Sequence, residues 1–334
     1  MPRYLIHIGP FKTGTTYLQH AFTQLRPELA ARGIDYPGAW GGLHGHHTLA
    51  AALADDGDAS LAEPFGALNR SGADTVLLSS EEFAKLNDAA VRRLHALLGG
   101  APATVVFYCR RWSELIPSLW REAIKHGSLT TLPEFTVSCL ADPLATEEIN
   151  FEHVLARYSA VFGPRALRLV SYNGVLEARM DLLSHFCQHF LNWPNPPPTG
   201  LDRVNESLDM VDTEIIRALN ALEWTRARED RERLHKAFLE EKSSLPIRFL
   251  VEKSMQFLVN SIRLHDAAPV LARLHTGLVE RYKAALVPPF PVAALFKPRC
   301  SDVSYIRQDY LFAEGVLDTL RAMQAKLLQR VQTG

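Results

Sequence analysis

The chain alternates short apolar runs with longer stretches in which apolar residues return every three or four positions. Tyr4 to Ile8 is a β-rich apolar run that stops at Gly9-Pro10, the pattern of a strand buried on both faces. From Thr15 to Arg32 the apolar residues Tyr17, Leu18, Ala21, Phe22, Leu25 and Leu29 recur at helical spacing, and Gly33 follows as a stop signal. A Gly/His-rich loop, YPGAWGGLHGHH, then leads into an alanine-rich helix from about Thr48. Two more apolar runs, TVLLSS and ATVVFYC, are each followed by a helical pattern, and a further one, ALRLVSY, precedes a helix over Leu176 to Leu191. Strands alternating with helices predict an α/β fold, a parallel sheet flanked by helices and joined by right-handed crossovers. Ligands of such sheets sit beyond the carboxyl ends of the strands.

The Pro-rich NWPNPPPTG at 192–200 is the strongest breaker in the chain. Beyond it the pattern is almost wholly helical, in VDTEIIRALNALEW, IRFLVEKSMQFLVNSIRLH, VLARLHTGLVERYKAAL and FAEGVLDTLRAMQAKLLQRV. These patterns divide the chain into an α/β core over 1–191 and a mainly helical region over 192–334, expected to pack on the core as one domain. WTRAREDRERLHK reads as a solvated helix with i,i+4 ion pairs. Neither internal repeats nor low-complexity tracts interrupt the pattern.

Composition narrows the function classes. The chain has 334 residues, 47% hydrophobic and 22% charged, with a formal net charge of -1. That balance gives no global attraction to nucleic acid or to an anionic membrane surface. Cys109, Cys139, Cys187 and Cys300 are widely spaced, without a CxxC pair, as expected for reduced thiols in a cytoplasmic protein. No apolar run reaches the roughly 18 residues of a membrane span, and the first strand leaves no room for a secretory signal.

The first loop carries the chemistry. In RYLIHIGPFKTGTTYLQHAF a strand is followed by Gly9, Gly14 and a helix that starts at Thr15. Backbone N–H groups and a helix N-terminus converge there, which makes an anion site. Lys12 adds a cation, and Thr15 and Thr16 add hydroxyls. No Lys-[Ser/Thr] pair follows the second glycine to bind a magnesium triphosphate. KTGTT also fits a simple turn and N-cap.

GPFKTGTTYLQ resembles the 5′-phosphosulfate loop of sulfotransferases that use 3′-phosphoadenosine 5′-phosphosulfate (PAPS), especially bacterial and carbohydrate sulfotransferases. The resemblance implies that Lys12, Thr13, Gly14, Thr15 and Thr16 hold the 5′-phosphosulfate, with Lys12 assisting the leaving phosphate. That family binds the 3′-phosphate with an arginine at a strand end and a serine eight residues on, which corresponds to Arg110 and Ser118 in CRRWSELIPSLW. An arginine forks onto phosphate, and a serine on the next helix adds a donor from the same side. Arg111 is the alternative arginine. Trp112 departs from the usual Asn-Pro, and Pro117 is expected to start or bend the helix before Ser118. Tyr172 matches the family's adenine-side tyrosine after ALRLVSY, and RVNESLD resembles bacterial members.

Sulfuryl transfer to a hydroxyl needs a base and cations for the leaving group, and no metal is obligatory. Strand-end alignment with the family puts Glu81 first as base and Glu82 second, although SSEE before an apolar run also reads as a helix start. His44, His46 and His47 are the rival group, as base, acceptor contact or a weak metal-ligand set, with His47 the best candidate of the three. Lys297, Arg299 and Arg307 in FKPRCSDVSYIRQ match the basic segment with which sulfotransferases often close the donor site. The sequence therefore reads as a PAPS-dependent sulfotransferase that forms PAP and a sulfate ester on a small-molecule or glycan hydroxyl. The alternatives are a P-loop kinase or NTPase and a non-catalytic sulfonucleotide-binding module.

Overall fold

The computed structural model describes residues 1–40, 44–55, 60–201, 208–222, 228–287 and 295–333. In chain order the elements up to residue 111 are β1 (Arg3–His7), α1 (Thr15–Gln24), α2 (Arg26–Ala30), β2 (Ile34–Asp35), α3 (His47–Ala54), α4 (Ala62–Arg70), β3 (Thr75–Ser79), α5 (Asp88–Leu97) and β4 (Ala103–Cys109). Then follow α6 (Trp112–Lys125), α7 (Leu132–Ala141), α8 (Phe151–Phe162), β5 (Leu167–Ser171), α9 (Tyr172–Glu177) and α10 (Leu182–Phe190). The remainder holds α11 (Met210–Leu222), α12 (Arg228–Glu241), α13 (Ile247–Met255), β6 (Leu258–His265), α14 (Pro269–Tyr282), β7 (Cys300–Ile306) and α15 (Val316–Thr333).

Two compact units share the chain. The first takes Met1–Arg111, Asp142–Asn205 and Ala267–Pro298; the second takes Trp112–Ala141, Glu206–Asp266 and Arg299–Gly334. The unit boundaries do not coincide with a division at residue 191, because α6 and α7 leave the first unit early and α14 returns to it.

The first unit is built on a five-stranded parallel sheet in the order β2-β3-β1-β4-β5. Central strands are apolar on both sides because helices cover both faces, and every residue of β3 is buried. Tyr4 pairs with Val76 and Ala103, so β1 lies between β3 and β4 with its carboxyl end at a switch in strand order. Leu18, Phe22, Leu77, Val170, Leu183 and Phe186 are among the buried side chains of its core.

Short pairings extend the sheet on both sides. β2 pairs with β3 only through Ile34 and Asp35, and His46 continues the edge. Its N–H donates to Ser79 O at 2.8 Å, its Nδ1 accepts from Ser79 N at 3.0 Å, and Nε2 donates to Pro37 O at 2.9 Å. On the far edge Val287 N donates to Leu169 O at 2.9 Å.

The four expected strands form within a residue of their predicted limits, while three helix readings change. The stretch from Thr15 to Arg32 breaks after Gln24, since Pro27 has no N–H for Thr23 O and its ring crowds that turn. The helix over 176–191 is two helices, with Arg179 at a φ of 55° and Asp181 capping Ser184 N at 2.9 Å. IRFLVEKSMQFLVNSIRLH is helical only to Met255 and then becomes β6, paired antiparallel with β7. The strand partner lies far along the chain, and apolar periodicity carries no trace of it. RVNESLD lies mostly outside the described residues, as do residues 224–227 of WTRAREDRERLHK, whose remainder is helical as expected, in α12.

The second unit is helical around Trp120, Ile215, Leu219, Phe238, Leu320 and Met323, with the β6–β7 pair added. Helix α6 starts at Trp112 and contains Pro117, so the proline does not start it. In its first turn the buried Asp266 accepts from Ser113 N and Ser113 Oγ, each at 2.9 Å.

Two buried histidines tie this fold to pH. Burial lowers His7 to about 3 and His46 to about 4, against hydrogen bonds to Pro37 and Ser79 that raise His46. Below an unfolded value of 6.5 the denatured chain binds protons that the native state refuses. Stability is therefore full above pH 6.5 and falls as pH drops toward 4, by about 1.4 kcal/mol per pH unit for each histidine. Urea melts at pH 7, 6 and 5 measure it, and His46→Asn, which keeps an acceptor for Ser79 N–H, flattens the slope.

Candidate functional site

The loop from Gly9 to Gly14 leaves the carboxyl end of β1 through backbone conformations that ordinary residues avoid. Gly9, Lys12 and Gly14 have φ of 85°, 65° and 78°, and the Gly9–Pro10 peptide is cis. Gly9 is bare for a second reason, since a Cβ there would lie 3.0 Å from Glu81 Cα. A Cβ on Gly14 would lie 2.5 Å from Leu182 Cδ2. Thr13 is buried and closes the turn, its hydroxyl donating to Pro10 O at 2.6 Å.

Gly14 then begins α1 with no side-chain cap and no acidic residue in the first turn. The first N–H groups of a helix lack intrahelical partners, and the peptide dipoles favour negative charge beside them. Thr15 is buried at the start of α1, Thr16 is half-buried, and Lys12 is half-buried in the loop before them. The donor set is one cation, hydroxyls and backbone N–H groups, which suits a phosphate or sulfate ester.

Adjacent strands bring further groups to the loop. Arg110, at the end of β4, donates from Nη1 to Lys12 O at 2.6 Å and lies over the Tyr172 ring at 5.3 Å. Arg111 turns the other way and is buried. Its N–H donates to Asn173 Oδ1 at 2.8 Å, its Nε donates to Lys297 O at 2.7 Å, and its Nη2 pairs with Glu177. Of the two arginines, Arg110 reaches the loop and Arg111 ties β4 to the chain after β5. Ser118 is half-buried on α6 in the second unit.

Beyond β3, Ser80 caps the turn Glu81–Lys85 by accepting from Glu82 N at 3.2 Å. The two acids then diverge. Glu82 pairs with Lys85 at 3.3 Å on the surface. Glu81, with its side chain 13% exposed, accepts from Gln19 Nε2 at 2.7 Å and has His47 Nδ1 at 4.0 Å.

The three histidines have three environments. His46 is the buried edge group already described. His44 stacks on His20 at 4.0 Å, and burial, then His20 and Arg26, lower its proton affinity. His47 is half-buried at the start of α3, 3.0 Å from Ser80 Oγ, and is the one that reaches Glu81. Among the described residues no group of three His, Cys, Asp or Glu side chains is arranged to hold a metal ion.

Other expectations find plainer places. In the second unit Arg307 is exposed and paired with Asp309, while Arg299 N donates to Asp266 Oδ2 at 3.0 Å. Lys297 is exposed in the first unit. Cys109, Cys139 and Cys187 are buried free thiols and Cys300 is exposed. No helix among the described residues is long and apolar enough to cross a membrane. Gln19 and Gly45 were not foreseen as site residues. Gln19 stands as a polar residue on the apolar stripe of α1, which is the signal that could have found it.

The loop geometry predicts the cost of adding a side chain. Gly9→Ala combines an unfavourable φ with contact against the Glu81 backbone, at about 1–3 kcal/mol for the backbone alone. Gly72→Ala has a similar φ of 79° and open space, so it reports the conformational cost by itself. Denaturant melts are expected to show Gly9→Ala as the more destabilised; equal losses would mean that the Glu81 contact yields freely.

No family model matches the chain, and no curated protein matches it. Among solved structures, the crystal structure of a sulfotransferase from Alicyclobacillus acidocaldarius is similar, with 13% identity, a TM-score of 0.38 and coverage of 70% of this chain and 94% of that one.

Proposed function

We propose that the protein is a PAPS-dependent sulfotransferase that moves a sulfuryl group to an acceptor hydroxyl, with a glycan as the acceptor class. The observation that carries this reading is the uncapped N-terminus of α1, whose loop cation Lys12 is joined through its carbonyl to Arg110. The rest of the first unit's site supports it. Lys12, Gly14, Thr15, Thr16 and the loop N–H groups bind the 5′-phosphosulfate, while the Thr13 hydroxyl keeps the loop closed. Arg110 binds the 3′-phosphate and Tyr172 flanks the adenine. Ser118 as a second 3′-phosphate donor rests on the sequence resemblance alone, as does a donor-closing role for Lys297, Arg299 and Arg307.

The residues act as follows. Glu81 accepts the acceptor's hydroxyl proton as the new O–S bond forms. Lys12 and the α1 N-terminus stabilise the charge that builds on the phosphate oxygen as the old S–O bond breaks, so the electron pair departs with PAP. Gln19 and the turn after β3 hold the Glu81 carboxylate beside the loop. The charge on the leaving group is met by protein cations and N–H groups, and the proposal assigns no metal.

Calorimetry and thermal melts with PAP, ATP and ADP test the donor assignment. PAP at about 100 times its dissociation constant should stabilise the fold by about 2.7 kcal/mol. A preference for ATP would sink the sulfonucleotide reading in favour of a kinase or NTPase. Lys12→Ala and Arg110→Ala should each weaken PAP stabilisation.

Glu81→Gln should preserve PAP binding and lower transfer to a panel of glycan acceptors by about 10²–10⁴-fold. Full transfer in that variant moves the base to His47. PAP binding without transfer in the unaltered protein favours the non-catalytic module.

A further inference from the structure

Gln19 lies on the buried face of α1, only 1% exposed, one turn beyond Thr15 on the same side of the helix. Its Nε2 donates to Glu81 Oε2 at 2.7 Å. A carboxylate only accepts hydrogen bonds, which fixes the amide with nitrogen toward Glu81 and Oε1 away from it. Gly45 stands against that amide. A Cβ on Gly45 would lie 2.6 Å from both Cδ and Oε1 of Gln19, and 2.7 Å from Nε2 of His47. The loop before α3 can close on Gln19 and His47 together only because residue 45 carries no side chain.

Resting on the sulfotransferase reading, we propose that Gln19, seated against the bare Cα of Gly45, is the positioning residue that aims Glu81 at the reacting hydroxyl. The amide bonds Oε2, and Oε1, which takes no part in that bond, is the oxygen assigned to receive the proton. Gln19 belongs to the same rigid helix whose N-terminus binds the anion. Thr15 and Gln19 are four residues apart, about 6 Å of helix rise, so the register of α1 sets the base relative to the sulfuryl group. A misplacement of about 1 Å in such a constellation costs on the order of 10²-fold in rate. Gln19 touches no reacting atom and acts through Glu81.

The test compares Gln19→Leu, Gly45→Ala and the double variant in PAPS turnover, followed as PAP release, together with PAP binding by calorimetry. Each single variant should lose about 10–100-fold in kcat, with KM for PAPS and PAP affinity within about twofold of the unaltered protein. The double variant should be no slower than the slower single one, because both changes break the same contact. The atoms nearest a Cβ on Gly45 are the far end of the Gln19 side chain and the His47 ring, not backbone, so Gly45→Ala keeps the test alive should Gln19→Leu misfold. Wild-type kcat in both variants, or losses that multiply in the double, would overturn the proposal.

A second readout needs no turnover. The carboxyl ¹³C resonance of Glu81 at pH 7 should move in Gly45→Ala, and an unmoved resonance also overturns the proposal. Absence of PAP binding and PAPS turnover in the unaltered protein would instead strike the sulfotransferase reading, and the resonance would still decide whether Gly45 and Gln19 hold Glu81.

Discussion

The first unit's site depends on a close approach that two bare Cα atoms permit. At Gly9 the loop after β1 lies against the Glu81 backbone, and at Gly14 it lies against Leu182 and the Tyr172 ring. A side chain at either position would separate the loop from the ends of β3 or β5. With both absent, the start of α1, the turn after β3 and the start of α9 lie against a single loop. Parallel strands place these connections along one edge of the sheet, and the glycines bring them into contact.

Charge is distributed to match. The loop has no carboxylate in its own first helical turn, while Asp266 fills the corresponding turn of α6. One helix start therefore carries no side-chain cap, and the other already holds a carboxylate. Behind the loop, His7 and His46 are buried in neutral form and serve the sheet. His7 meets Ser79 Oγ at 2.8 Å beneath the turn, and His46 continues the pairing of the β3 edge beyond β2. Neutral imidazoles supply donors and acceptors there without adding charge to the core, which would carry a large desolvation cost.

Much of this was legible in the chain. The strand TVLLSS, the stop at Gly9-Pro10 and the KTGTT turn are local patterns, each read from contiguous residues whose backbone preferences and burial agree. The breaks after Gln24 and around Arg179 were partly written too, in Pro27 and in the Asp181-to-Ser184 cap, but apolar spacing alone ran across them. The β6–β7 pair was not legible, since Val259 and Ile262 fit a helix until Val303 and Tyr305 supply a partner strand.

By itself the sequence determined the α/β alternation, the order of the strands along the chain and the glycine-bounded turn before α1, because these follow from periodicity and from glycine conformations within a few residues. Tertiary structure decided which of two arginines meets the loop, which of two glutamates stands beside it, and which of three histidines reaches that glutamate. It also joined Gln19 to Glu81 across 62 residues and Arg110 to Lys12 across 98. Adjacent residues such as Arg110 and Arg111, or Glu81 and Glu82, have the same local chemistry. Only the twist of the chain at a strand end separates them, turning one side chain into the site and the other away.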